Sequence, residues 1–461
     1  MYFQKINNTD GNTSLILIFL GWGMDSTPFL HLKKVGSDIV LAWGIPDADT
    51  PRIYADLLSR YKTTAVIAWS YGVVSADSLI SDRESLRIAV NGTVTPVDNL
   101  TGIPKHVFAI TLRSISAENM RRFYSSAAGR SPLRGYFMSH LPERDVQSLK
   151  DDLAAYATLR SNSPNKMWDK VFIAANDAII PPANQEKAWE GFMIKRTDDA
   201  HLPDFQRIID TEIPDKTLIA KSFSRSKGSY EGSAYVQKKI AETLYSYWTR
   251  FQDVNNKDIL EIGSGTGLMT KTYTDRVDLS RLTLVDIAPY EDIEATIRDI
   301  EGGDKIKVVS ADAEEYLSAV EDNSFDAVIS SSTIQWFESP RRFFFNLNRV
   351  LRTGGIAAIS TFVSGNYAEI ADVAGRTLDY YTLSQYTAML PETLKTELTV
   401  EDSDVCTFEN GKSLLKHIKD TGVNALNSTP LSYSQMTELI KRLDMSPHLT
   451  YKYIYLIIRK L

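Results

Sequence analysis

Short apolar runs recur along the chain, and their spacing constrains the fold more than any other feature. In the first part of the chain they are residues 15–20, 38–43, 64–69, 105–110 and 170–175. Runs of this length are typical of strands that are buried on both faces, and the stretches between them leave room for crossover helices. The pattern predicts a largely parallel sheet covered by helices.

A second α/β pattern follows the first. Residues 233–251 place an apolar side chain at every fourth position from Val236 to Trp248, which predicts an amphipathic helix. Strand-like runs come next, in the segments DILEI, LTLVD, IKVVSAD, FDAVISSS and GIAAISTF, and 451–461 is predicted to be one more strand. Five strands with helical crossovers predict a doubly wound sheet.

The boundary between the two patterns is placed at 210–217, a polar segment that contains proline and has no periodicity. A chain of 461 residues is too long for one typical core. We therefore predict two α/β domains, over 1–212 and 218–461.

Composition excludes several classes of protein. A net charge of −7 argues against a general nucleic-acid binder. The single cysteine, Cys406, excludes an internal disulfide and suits a reducing compartment, and no Cys/His cluster suggests a metal site. The run 15–20 is too short to span a bilayer and has no basic leader, so a cytoplasmic protein without membrane contact is expected.

A glycine-rich loop is the first candidate ligand-binding feature of the second domain. In ILEIGSGTGLMT, Gly263, Gly265 and Gly267 follow a predicted strand and precede a predicted helix. Such glycines allow a tight turn and a close approach of backbone to a ligand. Leu268 stands where the dinucleotide fingerprint has its third glycine, so a pyrophosphate-bound cofactor is less favoured.

Acidic residues end the next two predicted strands. Asp286 is placed to accept hydrogen bonds from ribose hydroxyls, and Asp312, followed by Ala313, is placed beside a candidate adenine pocket. The alternative is a structural turn with two acids facing solvent. The order of the three features at successive strand ends favours the cofactor site.

The segment from Glu261 to Gly267 resembles the first motif of class I S-adenosylmethionine-dependent methyltransferases, acid-x-Gly-x-Gly-x-Gly. Residues 221–244 and 330–362 resemble the malonyl-acyl-carrier-protein O-methyltransferases of biotin synthesis. The residues that carry this narrower resemblance are Phe223, Arg225, Tyr230, Val236, Gln237, Gln335 and Trp336. The likeness covers about 220–365, whereas 366–450, which normally supplies the substrate cover, matches poorly.

This resemblance implies methylation of a malonyl carboxylate by S-adenosylmethionine. Carboxyl groups have pKa values near ~4, so the acceptor is already an ionised nucleophile and needs no strong base. Proximity and desolvation are then the main catalytic means. Tyr230 and Gln335 are candidates for closing over the reacting centre, and ordinary packing and capping remain the alternative.

Ser70, in TTAVIAWSYGVVSA, begins a possible second active site. An acid and then a histidine should follow it in α/β-hydrolase order. Asp177 follows the run 170–175, and His201 is the histidine of the first domain that comes after Asp177. Asp145 and Asp169 are fallback acids, and a helix-capping serine is the alternative interpretation of Ser70.

An oxyanion hole is expected to accompany the nucleophile. Trp22 lies just past the first strand, and the backbone N–H of Tyr71 is a second candidate donor. Ala68 occupies the first glycine position of the Gly-x-Ser-x-Gly elbow, and alanine is still small enough for the turn.

FLGWGMDSTPF and WSYG, within 1–212, resemble α/β-hydrolase esterases that act on pimeloyl-acyl-carrier-protein methyl ester, and NMRRFYSSAAGR resembles their lid helix. We expect Phe123 to line the acyl tunnel. The arginines expected to hold an acidic carrier protein are Arg121, Arg122, Arg130 and Arg134. A solvated helix face is the alternative for this charged stretch.

Together the two resemblances imply a fusion of an α/β-hydrolase esterase with a class I, Rossmann-like methyltransferase. The second half would cap malonyl-acyl-carrier protein with a methyl group, and the first would remove the cap from the pimeloyl product. Two alternatives stay open: an inactive hydrolase that docks the carrier protein, and an enzyme pair acting on unrelated small molecules.

Overall fold

The structure is a computed structural model, and it describes residues 1–7, 11–81, 84–159, 168–213, 215–288, 293, 305–374, 378–421 and 433–461, without the side chains of 226–231 and 372–374. The chain divides into two compact units, Met1–Ile213 and Pro214–Leu461. Within the described residues, no helix is long and apolar enough to cross a membrane.

The first unit contains a seven-stranded sheet. Its strands are β1 (Tyr2–Lys5), β2 (Ser14–Phe19), β3 (Ser37–Trp43), β4 (Thr63–Trp69), β5 (Leu86–Val90), β6 (Lys170–Asn176) and β7 (Met193–Ala200). The spatial order is β1-β3-β2-β4-β5-β6-β7, and only β1 runs antiparallel to its neighbour. The central strands β2 and β4 are buried on both faces, as continuous apolar runs require.

Helices connect these strands. They are α1 (Thr50–Leu58), α2 (Gly72–Asp77), α3 (Lys105–Arg113), α4 (Ala117–Ala128), α5 (Arg134–Ser139), α6 (Val146–Tyr156), α7 (Pro182–Ala188) and α8 (Phe205–Glu212). We call α4, α5 and α6, which lie between β5 and β6 in the sequence, the cap helices.

The predicted strand at 105–110 is wrong, because these residues form the first two-thirds of α3. Only Phe108 of this helix is buried, and Val107 and Ile110 are exposed. Part of the apolar run therefore faces the core and part faces solvent. The true neighbouring strand, β5, was missed because Arg87 interrupts its apolar sequence. Arg87 is nevertheless buried, and its guanidinium pairs with Glu84 at 3.3 Å.

The second unit also contains a seven-stranded sheet. Its strands are β8 (Lys257–Ile262), β9 (Leu279–Asp286), β10 (Ile306–Ser310), β11 (Phe325–Ser331), β12 (Leu351–Phe362), β13 (Leu394–Thr407) and β14 (His448–Lys460). The order is β10-β9-β8-β11-β12-β14-β13, with the first five strands parallel and β14 antiparallel between β12 and β13. The parallel strands all end at the same edge, where the order reverses direction at β8.

The helices of this unit are α9 (Lys216–Ser233), α10 (Tyr235–Trp248), α11 (Leu268–Tyr273), α12 (Ala313–Ala319), α13 (Pro340–Val350), α14 (Ala368–Ala374), α15 (Leu383–Ala388), α16 (Gly411–Asp420) and α17 (Tyr433–Met445). The amphipathic helix predicted at 233–251 is confirmed as α10, whose apolar stripe is buried. The weakly matched segment 366–450 supplies α14 to α17 and the edge strand β13. The sequence of β13 contains no fully apolar run that would predict a strand, because most of its residues are partly exposed.

Candidate active sites

Ser70 lies at a sharp turn between β4 and α2. Its φ angle is +57°, a left-handed conformation that is rare for residues other than glycine. The turn leaves no room for side chains beside it. A Cβ atom on Gly72 would lie 2.4 Å from the Phe19 carbonyl oxygen, and one on Gly92 would lie 2.3 Å from the Ser70 carbonyl oxygen. The backbone therefore presents the Ser70 side chain on a strained elbow.

Three side chains from different parts of the sequence meet at this elbow. The Ser70 Oγ lies 3.0 Å from the His201 Nε2, and the His201 Nδ1 lies 2.9 Å from the Asp177 Oδ2. All three residues are buried. With Nδ1–H donating to the carboxylate, Nε2 is free to accept the serine proton, which is the arrangement that nucleophilic catalysis requires.

Asp177 is itself held in place. Its Oδ1 accepts hydrogen bonds from the backbone N–H groups of Ile179 and Ile180, at 2.8 and 2.9 Å. The Gln185 side-chain amide donates to Oδ2 at 2.8 Å. Gln185 lies on α7, is completely buried, and was missed by the sequence analysis because a single glutamine in a helix carries no recognisable signal.

The two fallback acids have structural contacts. Asp145 caps the N-terminus of α6 by accepting from the Ser148 N–H at 2.8 Å. Asp169 is buried and accepts from the backbone N–H of Arg87 at 2.8 Å. These contacts hold a helix end and a strand in place.

The loop after β2 lies against the elbow. A Cβ atom on Gly21 would come within 2.9 Å of the Ser70 Cβ, so the neighbouring residue Trp22 is close to the serine. Within the part of the chain that the structure describes, the backbone N–H groups of Trp22 and Tyr71 donate to no other protein group. Both N–H groups therefore remain available as donors close to Ser70 in the sequence or in space.

The cap residues differ from one another in their contacts. Phe123, on α4, packs its ring against Trp22 with the centroids 5.1 Å apart. Arg121 and Arg130 are exposed, whereas Arg122 pairs with Glu118 at 2.6 Å.

Arg134, which was expected from the sequence to hold the carrier protein, instead bonds to the end of α4. Its guanidinium donates to the carbonyl oxygens of Ser125 and Gly129 at 2.7 and 2.9 Å, and to the Ser125 hydroxyl at 2.7 Å. These acceptors lie at the end of α4, whose last carbonyls have no partner within the helix. Arg134 therefore stabilises the cap and has few donors left for a carrier protein.

The second unit has a cleft at the carboxyl ends of β8, β9, β10 and β11. Of the cofactor residues expected from the sequence, those that line the cleft are Gly263, Gly265, Asp286, Asp312 and Ala313. Trp336, Phe337 and residues of α9 complete its wall.

The glycine loop is shaped by backbone geometry. Gly263 has φ +75°, and a Cβ atom on it would lie 2.0 Å from the Thr333 Oγ1. The Gly265 N–H donates to the Asp286 carboxylate at 2.9 Å, which joins the loop to the end of β9. Gly267 has φ +77° at the N-terminus of α11 and does not line the cleft, so its role is to shape the turn.

Glu261 lies beneath the loop, which corrects the expectation that it contacts the cofactor. It is 1% exposed, absent from the lining of the cleft, and accepts hydrogen bonds from the hydroxyls of Thr270 and Tyr273 at 2.9 and 2.6 Å. Burial raises the pKa of Glu261 to about 7. Its contacts join the end of β8 to α11 and so support the loop from below.

Asp286 and Asp312 are the two acids at the mouth of the cleft. Asp286 also accepts from the Ala288 N–H at 2.8 Å, and burial raises its pKa. Asp312 caps α12 by accepting from the Glu314 N–H at 2.8 Å. Each acid is therefore oriented by backbone donors.

Lys216 and Phe223, on α9, also line this cleft. The Lys216 ammonium lies 2.5 Å from Asp312, 2.8 Å from Glu314 and 3.4 Å from Glu338. Burial opposes its charge, but the three carboxylates outweigh burial and raise the pKa of Lys216. Sequence analysis missed Lys216, because it stands in the polar segment that was interpreted as the domain boundary.

Gln335 is buried away from the lining of the cleft. Its amide donates to the Ser332 carbonyl at 2.6 Å and accepts from the Thr361 hydroxyl at 2.8 Å. The adjacent Trp336 lines the cleft instead and packs edge-on against Phe223 at 5.1 Å. The side chain of Tyr230 lies outside the described residues.

The two folds define the class of the chain: an α/β-hydrolase unit followed by a class I methyltransferase unit. The family model described as pimeloyl-ACP methyl esterase BioG matches residues 1–210, and the model described as methyltransferase domain matches 260–359. A malonyl-[acyl-carrier protein] O-methyltransferase from Bacteroides fragilis is 30% identical over 96% of this chain and 92% of its own length. The chain therefore belongs to the malonyl-[acyl-carrier protein] O-methyltransferase family, in a form that is fused to a BioG-type unit.

Relatives also match single units. A malonyl-[acyl-carrier protein] O-methyltransferase from Chlorobium luteolum is 29% identical over 54% of this chain and 97% of its own length. The crystal structure of BioG from Haemophilus influenzae is 25% identical, covers 44% of this chain and 94% of its own, and has a TM-score of 0.38.

Proposed function

We propose that the chain is a bifunctional enzyme of biotin synthesis. Its second unit methylates the free carboxylate of malonyl-acyl-carrier protein with S-adenosylmethionine, and its first unit hydrolyses the methyl ester of pimeloyl-acyl-carrier protein. The observation that carries the proposal is the triad of Ser70, His201 and Asp177, assembled at hydrogen-bond distances in a chain whose other half has a glycine-loop cleft.

Ester hydrolysis follows from the triad. His201 takes the proton of Ser70 as the serine oxygen attacks the ester carbonyl, and Asp177 stabilises the imidazolium that forms. The N–H groups of Trp22 and Tyr71 are the donors for the oxyanion. As the tetrahedral intermediate collapses, His201 protonates the departing methoxide oxygen, which leaves as methanol. Water, with His201 as the base, then attacks the acyl-serine carbonyl and releases the acid and Ser70 by the same steps.

The cleft of the second unit fits S-adenosylmethionine. Gly263 has no side chain, so the backbone of the glycine loop can pass close to Thr333, where a Cβ atom would collide. The Asp286 carboxylate lines the cleft and can accept hydrogen bonds from ribose hydroxyls. Asp312 and Ala313 line the place expected for adenine. When bound, the cofactor supplies an electrophilic methyl group to the carboxylate oxygen of the acceptor.

The residues of the second unit need only bind the cofactor and the acceptor, orient them towards each other, and exclude water. The acceptor carboxylate is ionised at neutral pH, so no protein base has to remove a proton. Trp336 and Phe223 pack together at the wall of the cleft and exclude water there. Orientation and desolvation are then the contributions of the protein.

The two activities have a common purpose. A free carboxylate at the end of a growing chain costs several kcal/mol to bury in an apolar pocket, and a methyl ester removes that charge. The relative from Bacteroides fragilis is similar along nearly the whole chain, so the likeness extends over both units.

Mass spectrometry of malonyl-acyl-carrier protein incubated with S-adenosylmethionine and the full chain tests the proposal. We expect a gain of one methyl group, which persists in Ser70→Ala and is lost in Asp286→Ala. Pimeloyl-acyl-carrier protein methyl ester should lose its methyl group with wild type and Asp286→Ala but not with Ser70→Ala. Absent hydrolysis by wild type would favour the inactive docking module, and absent methylation would favour unrelated acceptors.

A further inference from the structure

Residues 22–25, which we call the oxyanion loop, are bonded to the cap helices and the turn between them at every position. The contacts are Trp22 Nε1 to the Leu149 carbonyl (2.9 Å), Tyr124 hydroxyl to the Gly23 carbonyl (2.8 Å), the Arg144 guanidinium to the Met24 carbonyl (3.3 Å), and the Glu143 N–H to the Asp25 carboxylate (2.7 Å). Each of the four residues of the oxyanion loop is therefore hydrogen-bonded to the segment 124–149.

The oxyanion loop packs closely against α4 at Gly23. Gly23 has φ +85°, and a Cβ atom on it would lie 3.2 Å from the Met120 methyl group. Tyr124, which donates to the Gly23 carbonyl, is 5% exposed, so the hydrogen bond is shielded from water. A buried carbonyl that loses its donor is costly, and the loop would move to regain one.

The Trp22 side chain is anchored at two points. Its indole N–H donates to Leu149 on α6, and its ring packs against Phe123 on α4. The backbone N–H of the same residue is the proposed oxyanion donor, and its position is set by where the side chain is anchored. An oxyanion hole depends on such placement, because a donor displaced by about 1 Å can cost ~10²-fold in rate.

We propose that the cap helices position the oxyanion hole, and that Tyr124 is a positioning residue for ester hydrolysis. This inference rests on the proposed esterase function. It gives the cap a role in the chemical step in addition to any role in binding the substrate. Tyr124 does not touch the reacting atoms, because its hydroxyl acts through the Gly23 carbonyl.

The test uses Tyr124→Phe in the full chain, with a small carrier-free methyl ester as substrate. We expect kcat to fall by about ten- to hundredfold with KM nearly unchanged, which is less than the full loss of a donor. An alkylboronic acid, which forms a tetrahedral adduct on Ser70, should lose affinity in parallel. Trp22→Phe keeps an aromatic ring, although a smaller one, and the backbone N–H, but it removes the bond to Leu149, and it should show the same pattern.

Tyr54→Phe is the matched control. Tyr54 is also buried in the first unit, and its hydroxyl bonds to Glu84. This variant should lose thermal stability while keeping kcat and boronic-acid affinity. The inference is overturned if Tyr124→Phe retains wild-type kcat, if only KM changes, or if kcat falls without loss of boronic-acid affinity. If the wild-type chain hydrolyses no ester, the proposed esterase function itself fails, and that outcome is distinguishable from the others.

Discussion

Among the residues that the structure describes, the Glu261 carboxyl forms no ion pair, and two hydroxyls hold it beneath the glycine loop. Burial raises its pKa from 4.5 to about 7, so the folded state binds a proton that the unfolded state releases between these values. The free energy of unfolding should therefore decrease as pH rises from 4.5 to 7, by about 3 kcal/mol at one pKa unit per ~1.4 kcal/mol.

Glu261→Gln, which mimics the protonated acid, should remove this pH dependence. We expect the variant to match wild type near pH 4.5 and to be more stable than wild type at pH 8. Urea unfolding of the second unit at several pH values measures the difference. A stability difference that stays constant between pH 4.5 and 8 would contradict the assigned shift.

A second prediction at the scale of a single residue concerns the contribution of Asp286 to cofactor binding. Asp286→Ala removes a charged acceptor from the cleft and the partner of the Gly265 N–H. Affinity for S-adenosylmethionine should fall by about 1.5–3 kcal/mol, measured by calorimetry. Glu315→Ala, an exposed acid on α12 outside the cleft, is the matched control, and equal affinities for the two variants would rule out the assignment.

At the scale of the element, the arginines of α4, of the turn after it and of the start of α5 differ in their contacts. Arg122 pairs with Glu118 on the exposed face of α4, and Arg134 bonds to the end of that helix. Arg121 and Arg130, exposed and without an ion pair among the described residues, are the two charges available for an acidic carrier protein.

Arg121→Glu with Arg130→Glu should raise KM for a carrier-bound ester several-fold and leave a small free ester almost unaffected. Added salt should weaken the wild-type reaction in the same way, because exposed charges are screened. Arg52→Glu, on the exposed face of α1, is the control. Equal losses on both substrates, or losses equal to the control, would show that these arginines do not bind the carrier.

At the scale of the whole molecule, the proposed pair of activities requires that the chain not hydrolyse its own early product. If the carrier protein docks on the cap helices, its prosthetic arm and acyl chain act together as a ruler. A pimeloyl ester then reaches Ser70, and a malonyl ester stops several bonds short.

The full chain should therefore hydrolyse pimeloyl methyl ester on the carrier at least tenfold faster than malonyl methyl ester on the carrier. Carrier-free methyl esters of the two acids should differ much less, because nothing then fixes their far end. Rates from mass spectrometry under equal concentrations measure the ratio. Equal rates on the two carrier-bound esters would reject the ruler.

Local sequence patterns were enough to predict several elements and loops of this molecule. The stripe from Val236 to Trp248 predicted α10, because helical periodicity is visible in a single segment. The glycine loop and the acid at the end of β9 were recognisable because strand-to-helix turns and buried runs have local signatures. Ser70, Asp177 and His201 were identified by their order in the chain, and their roles stay a proposal.

Only the tertiary structure decided the contacts between distant segments. Whether 105–110 is a strand or a helix depends on which side chains find a core, and an apolar run alone does not settle that. The bonds from Tyr124 to Gly23, from Arg134 to the end of α4 and from Lys216 to Asp312 join residues whose sequences carry no shared pattern. Such contacts arise because folding brings polar groups into a shielded interior, where each must find a partner.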